Sequence, residues 1–514
     1  MKSFNELHNK ETNKIELDLV KNLDKNIKIF EDFFNNCDDV IKKKFQIGEI
    51  NSVWGYISYI DSMVNRDVVE DSILEQMIEE IKNVPKNISE DTNLFEFVKN
   101  YAIATADVKE INTFDEACLA VLSGDTVLFI DGFDKALKIA TKGWPNRGVQ
   151  EPDTEGVVRG SKEGFSEALR INTVLVRRRI RDTKLKVRQE QVGTRSRTDI
   201  AIMYIEDLAR KEVLKEIDVR LHSFSIDAIY ESGMLEELME KEWLSPFPKA
   251  QVTQRPDKVA SALLEGRVAI VVDNTPFVLL FPTTINCFFQ SSEDYYQGFL
   301  FASFIRVLRY ASAVMAVGLP GLYIALTCFH TSMIPSELVY SIAAARQGVP
   351  FPTIIEVLII ELEFEFLREA AVRLPGSIGS TISIVGGLVI GQAAVSANLV
   401  SPLVIVIVAI TAIASFSIPN YTLANAYRII KFWIILGAGT LGLYGFWLSI
   451  LVVLIHLVAL KSVNFPYLMP FVADDVNGGQ DLKDSFFRLP IIYYRTRPIF
   501  AKKSERRRFK LNHK

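Results

Sequence analysis

Histidine and cysteine are scarce in this chain, at five and four among 514 residues. His8 and His222 are the two histidines ahead of residue 299, and Cys37, Cys118, Cys287 and Cys328 lie far apart with no CxxC among them. That spacing gives neither a disulfide framework nor a zinc site, so the cysteines are expected as small buried residues. No GxxxxGK[ST] occurs, and no GxGxxG opens a helix after a strand; Gly156, Gly160 and Gly164 read as turn geometry. With no catalytic triad and no clustered acid–base residues, a membrane-anchored enzyme is the weaker functional class, and no cofactor is expected. The first 26 residues lack an apolar stretch followed by a small-residue cleavage site, so the soluble half is expected to remain cytoplasmic.

Apolar residues are distributed unevenly. A mean hydropathy of +0.17 beside 23% charged residues averages a polar half with an apolar region between about 299 and 460. Such a length exceeds one ordinary core. Four segments are expected: a mainly helical part over 1–120, an α/β part over 121–298, a membrane domain over 299–461 and a basic tail over 462–514. The fold class is therefore multidomain α/β plus an α-helical polytopic membrane domain.

In the first segment Leu19, Leu23, Ile27, Phe30 and Phe34 recur at helical spacing, and helical patterns continue over 53–110, interrupted by Pro85. Thr126–Ile130 followed by Asp131-Gly132 reads as a strand and turn, as do 199–204 and 268–272 with Asp273-Asn274. Helices are expected over 166–181, 206–217, 225–243 and from 254 to near Gly266, with a strand at Val219–His222.

Residues 151–199 stand out. From 158 to 197 they carry nine arginines and three lysines against four acids, a net charge of +8 in a chain whose overall charge is −4. Beside the apolar region, Arg159, Arg177, Arg178, Arg179 and Arg181 are expected to meet acidic subunits or anionic headgroups rather than nucleic acid. Glu151-Pro152, the Val157-Val158-Arg159-Gly160 turn, Gly164-Phe165, Asn172-Thr173 and the 177–181 run resemble the signature of the GerA family of spore germinant-receptor A subunits. Further matches are Ser291–Tyr296, the SIAAARQ run at 341–347 with Gly348 to Pro352, the prolines at 466 and 470, and Arg488-Leu489-Pro490.

The membrane half begins with a span near 300–329, where Pro320 between glycines predicts a kink or break. Arg306 and Arg309 place its start on the cytoplasmic side. The segment 335–374 reads as an acidic amphipathic hairpin. Its second half carries Glu356, Glu361, Glu363 and Glu365, too many charges for a lipid-facing helix. Repeated around a ring, Glu356 and Glu363, seven apart, would form cation-attracting collars, with Glu361 and Glu365 as a second pair and Arg368 neutralising one of them. Further spans are expected at 378–398, where Gln392 is the polar exception, at 402–419 and at 432–460, where His456 is a packing or hydrogen-bonding group. About four spans result, with Arg428 and Lys431 awkwardly placed on the outer side.

The family resemblance implies a multi-pass protein of the spore inner membrane that assembles as a homo-oligomer in contact with membrane lipid. It would act with a B-type transporter-like subunit and a C-type lipoprotein as a nutrient-gated ion channel. Stage V sporulation AF-type proteins share the signature, so an accessory channel that amplifies ion release is the alternative implied.

Overall fold

The computed structural model describes residues 14–48, 52–80, 95–99, 107–144, 151–152, 155–373, 391–472 and 481–508. The chain divides into two compact units. One comprises Met1–Lys241, Val252–Pro282 and Arg495–Lys514; the other comprises Glu242–Gln251 and Thr283–Tyr494.

The first unit is built on two five-stranded sheets with the same topology. β1 (Val40–Ile47), β2 (Val53–Ile60), β3 (Val108–Ile111), β4 (Thr126–Ile130) and β5 (Ala136–Ile139) lie in the order β1-β2-β4-β5-β3. β6 (Leu185–Val192), β7 (Thr198–Ile205), β8 (Gln251–Thr253), β9 (Val268–Val272) and β10 (Val278–Phe281) repeat it as β6-β7-β9-β10-β8. The registers agree as well, since Ile57 opposes Leu128 in the first sheet and Ile202 opposes Ile270 in the second.

Matching helices cover matching faces. α1 (Leu23–Phe33) and α2 (Phe114–Leu122) pack on the first sheet, while α3 (Leu169–Arg177) and a later helix, Pro256–Leu264, pack on the second. α4 (Lys211–Leu221) and α5 (Ser232–Met239) precede that later helix, which is α6.

Capping details repeat too. The Asp131 carboxylate accepts from the amide of Leu23 at 3.1 Å, and Asp273 accepts from Leu169 at 3.0 Å. Each supplies a first-turn amide with the partner its own helix cannot give. Asn26 exchanges two hydrogen bonds with the backbone of Val20, and Asn172 does the same with Ser166. Aligned at a constant offset of 142, Asp115, Ala120, Leu122, Gly124, Asp131 and Leu137 recur as Asp257, Ala262, Leu264, Gly266, Asp273 and Leu279. The unit is an internal duplication.

This corrects the expected helical segment over 1–120. β1 contains Lys42, Lys43 and Lys44, which hide its alternation and suit an edge strand that must not recruit another. β2 is buried on both faces, so it reads as a continuous run rather than an alternating one. β4 and β5 complete the same sheet, so a boundary at 120 would cut through it. Val219–His222 is also not a strand: Val213, Ile217 and Leu221 are buried at helical spacing, and α4 runs through it with Val219 exposed. The end of the expected tail belongs to this first unit, with the Lys502 amide donating to Leu208 O at 2.9 Å and Arg497 to Leu264 O at 2.9 Å. The helical pattern expected around Pro85 lies outside the described residues.

The second unit is helical and apolar. Its long elements are α7 (Phe299–Ile324), continued by a π-helical turn at Ala325–Phe329, then α8 (Ser336–Ala345), α9 (Thr353–Arg373), α10 (Pro402–Phe416) and α11 (Tyr421–Ala459). Two of these, Phe299–Phe329 and Tyr421–Ala459, are long and apolar enough to cross a membrane.

The helix does not break at Pro320, which is buried within α7; the backbone changes to the wider π pattern one turn later. The break falls in α11, at Gly442, with φ +61° and ψ −140°. Phe247 packs against both Tyr427 and His456, at ring separations of 6.4 and 6.0 Å. In a straight helix those two residues would stand about 44 Å apart. α11 is therefore a hairpin of two arms, 421–441 and 443–459, roughly 31 and 25 Å long, against a hydrocarbon layer of about 30 Å.

A Cβ on Gly445 would overlap the carbonyl oxygen of Gly437, so the arms meet backbone to backbone. Both arms begin or end beside Phe247, and Gly442 forms the tip against Phe329 at the end of α7. Arg428 and Lys431 thus lie in the arm that rises from the Phe247 end. The expected span 378–398 falls largely outside the described residues.

Candidate functional site: paired charges inside the apolar unit

α9 carries the site. It runs antiparallel to the first arm of α11, so that Ile354 lies by Gly439, Glu361 by Lys431 and Glu365 by Arg428. It runs parallel to α10, with Glu356 by Ser401 and Arg368 by Ser415.

Glu356 has no exposed surface. It accepts from Arg346 at 3.2 Å and from the Ser401 amide at 2.9 Å, which also satisfies the start of α10. Glu361, 1% exposed, is ion-paired with Lys431, itself 5% exposed. Glu365 pairs with Arg428 and lies 3.8 Å from Arg368 and 3.9 Å from Lys431. Arg368 is held over the rings of Phe364 and Phe416. Three carboxylates therefore meet four cations contributed by two helices, α9 and α11, and by Arg346 at the end of α8. In an apolar interior an isolated charge costs several kcal/mol, so these groups are tolerable only together.

The expected collars need correcting on this point. Glu356 and Glu363 do not share an environment: Glu356 is buried and paired, while Glu363 is half-buried with no ion pair among the described residues. Arg368 does lie near Glu365, as the spacing implies, but the principal partners, Arg428 and Lys431, come from a helix 60 residues further on. Gln392 is exposed, with no hydrogen-bond partner among the described residues, and is not brought into the network. His456 accepts or donates one hydrogen bond to Ser245 Oγ at 2.8 Å.

Within the basic signature of the first unit, Arg177 turns inward. Arg177 is fully buried and grips Asp39 through two hydrogen bonds of 2.7 and 2.8 Å, with a third to Leu185 O at 2.9 Å. Burial alone would lower its pKa; the Asp39 carboxylate more than reverses this and keeps it charged. Arg178 and Arg179 both reach Glu163, at 3.2 and 2.6 Å, and Arg178 also covers Trp144.

Arg177 therefore braces the duplicated halves, while Arg178 and Arg179 are tied to Glu163 within the second half, with Arg178 also lying over Trp144. Asp39 precedes β1 in the first half and Arg177 ends α3 in the second, which is the long-range contact no spacing rule reveals. Arg159 and Arg181 are exposed and remain on the surface. Cys37 and Cys118 are buried as expected, whereas Cys287 is half-buried and Cys328 exposed.

Fold and site together define a two-part protein: a duplicated two-sheet unit and an apolar helical unit with two helices long and apolar enough to cross a membrane, whose buried carboxylates are paired with cations from neighbouring elements. The family model described as Bacillus/Clostridium GerA spore germination protein matches residues 28–500, and the chain belongs to that family. It is similar to spore germination protein KA of Bacillus subtilis (strain 168), 40% identical over 94% of this chain and 87% of the relative. A B. subtilis protein described as uncharacterized membrane protein YfkQ is also 40% identical, over 91% of this chain and 89% of its own length. Spore germination protein GerLA of Bacillus cereus is 42% identical over 77% and 80%. Among solved structures, the N-terminal domain of the A subunit of the Bacillus megaterium spore germinant receptor GerK3 matches 51% of this chain and 95% of its own at 30% identity, with a TM-score of 0.41.

Proposed function

We propose that this chain is the A-type subunit of a spore germinant receptor in the spore inner membrane, and that copies of it assemble around a nutrient-gated ion path. B-type transporter-like and C-type lipoprotein subunits are its partners. The observation that supports this is the buried charge network on α9. A helix that is apolar in composition yet carries five carboxylates suits a conducting element better than a lipid-facing anchor.

In this arrangement the closed form holds Glu356, Glu361 and Glu365 against Arg346, Lys431 and Arg428. Glu363, the carboxylate without such a partner, faces the ion path. Opening exchanges the internal cations for permeant ones.

The test is cation release from spores, nutrient by nutrient. Deleting the gene should abolish release in response to one nutrient class. Glu363→Gln should alter release rate or ion preference at an unchanged protein level. A deletion that leaves every response intact would refute the receptor reading, and one that slows all of them equally would reassign the chain to the accessory, amplifying role.

A further inference from the structure

A second polar cluster in the helical unit lies away from the α9 network, at the beginning of α7. Arg306, 1% exposed, donates to Asp294 at 3.0 Å and to the Asp484 carboxylate at 2.6 Å. Arg309 holds Asp294 through two bonds of 2.8 Å. Tyr295 and Tyr494 each donate to Asp484 at 2.6 Å. Both carboxylates are thereby fully used.

One cation is left over. Arg488 is 5% exposed, yet its guanidinium makes no hydrogen bond and no ion pair among the described residues; its Nε and the Nη2 of Arg306 are both buried without a partner. Arg488 and Arg306 lie 6.0 and 5.3 Å from the centre of the same Tyr295 ring. Three guanidinium groups against two carboxylates leave a net charge of +1. A buried, unpaired guanidinium is costly, and its planar fork suits a two-oxygen anion.

The surroundings indicate where that anion comes from. Phe486, Phe487, Ile491, Ile492 and Tyr493 flank Arg488 in sequence and expose large apolar surface. Their segment is pinned to the start of α7, where Ser303 Oγ donates to Arg488 O at 3.0 Å and accepts from the Arg488 amide at 3.1 Å. The neighbouring Phe299, Leu300, Phe301 and Phe304 are exposed as well. If α7 spans the bilayer, this is its water-facing end, where apolar side chains enter the acyl boundary and cationic ones meet phosphate.

We propose that Arg488, Arg306 and the Tyr295 ring form a phosphate-binding site at the membrane interface, occupied by a phospholipid headgroup or by free phosphate. The bound anion neutralises the surplus charge and fixes the 481–494 segment to the start of α7.

The experiment uses the full chain in detergent, titrated separately with short-chain phosphatidylglycerol and with inorganic phosphate, and reads the shift in thermal unfolding. The unmodified chain should be stabilised. Arg488→Gln should weaken binding roughly tenfold or more, as the loss of a charge-assisted pair would, while raising the unfolding temperature of the lipid-free protein because a buried unpaired charge is gone. Stabilisation by the lipid alone assigns the site to a headgroup, and equal stabilisation by phosphate assigns it to the free anion. Equal affinity in the unmodified and Arg488→Gln chains overturns the proposal. Should that variant not fold, Arg488→Lys decides: it keeps the charge but loses the fork, so affinity should fall several-fold, and an unchanged affinity overturns the site.

Discussion

The Arg177–Asp39 pair offers the sharpest test of how the duplicated unit is held together. Its two groups are 0% and 5% exposed, joined by two short hydrogen bonds, with the remaining guanidinium donor on Leu185 O. Asp39→Ala leaves a fully buried guanidinium without a counter-charge, which costs about 3–5 kcal/mol. Replacing both partners with apolar residues, as in Asp39→Ala with Arg177→Met, removes the stranded charge and should restore much of that loss. The cycle therefore carries a large favourable coupling between the two sites.

Hydrogen exchange of the β6 peptide 185–192 in the full chain is a suitable readout, because the same strand bonds to the 36–38 segment through Val187 N and O. Exchange in Asp39→Ala should accelerate on the order of a hundredfold or more, since each 1.4 kcal/mol is about a factor of ten. An acceleration below about fivefold, or a double variant as impaired as the sum of the singles, would refute the claim that this pair joins the halves.

Three other expectations follow from the same structure. Asp131→Ala and Asp273→Ala should each destabilise their own half by about 1 kcal/mol, equally within error, if the two caps are true counterparts; hydrogen exchange at the starts of α1 and α3 measures this. Gly445→Leu should prevent the α11 arms from closing, because even a Cβ there overlaps the Gly437 carbonyl, and the protein should fail to accumulate in membranes whereas an exposed substitution such as Leu448→Ala should not. Glu216, bonded to Lys241 and then to Arg220, has its pKa held down to about 2 against the ordinary 4.5. Its contribution to stability is complete above pH 4.5 and is lost as the pH falls toward 2. Glu216→Gln should flatten the acid dependence of unfolding in that window, and an unchanged slope would count against the pairing.

Much of the architecture was legible because it depends on short-range rules. The α1 stripe Leu23, Phe30 and Phe34, the strand and turn at 126–132, the strand and turn at 268–274 and the helix ending at Gly266 each follow from period and turn chemistry. What failed had a local cause. Lysines masked β1, and burial on both faces erased the alternation of β2. The Pro320 break was expected because proline removes a donor, but the widened turn at 325–329 follows it, and the real discontinuity sits at a glycine. The duplication was readable in principle from the 142-residue offset, yet identity at six of 26 aligned positions over 114–139 is faint beside the chemistry the two halves share in space.

The sequence by itself determined that this protein joins a polar half to an apolar one, that α9 is too charged to face lipid, and that the basic signature marks its family. It could not decide which charges meet. Arg177 finds Asp39 from 138 residues away, Lys431 finds Glu361 from 70, and Arg306 finds Asp484 from 178. Periodicity reports the face a side chain takes on its own helix or strand, whereas the partner of a buried charge is set by which helices and strands the fold brings alongside. Tertiary structure therefore decided that Arg177 braces the two halves rather than facing outward, that Glu356, Glu361 and Glu365 of α9 are paired, and that one cation, Arg488, was left over.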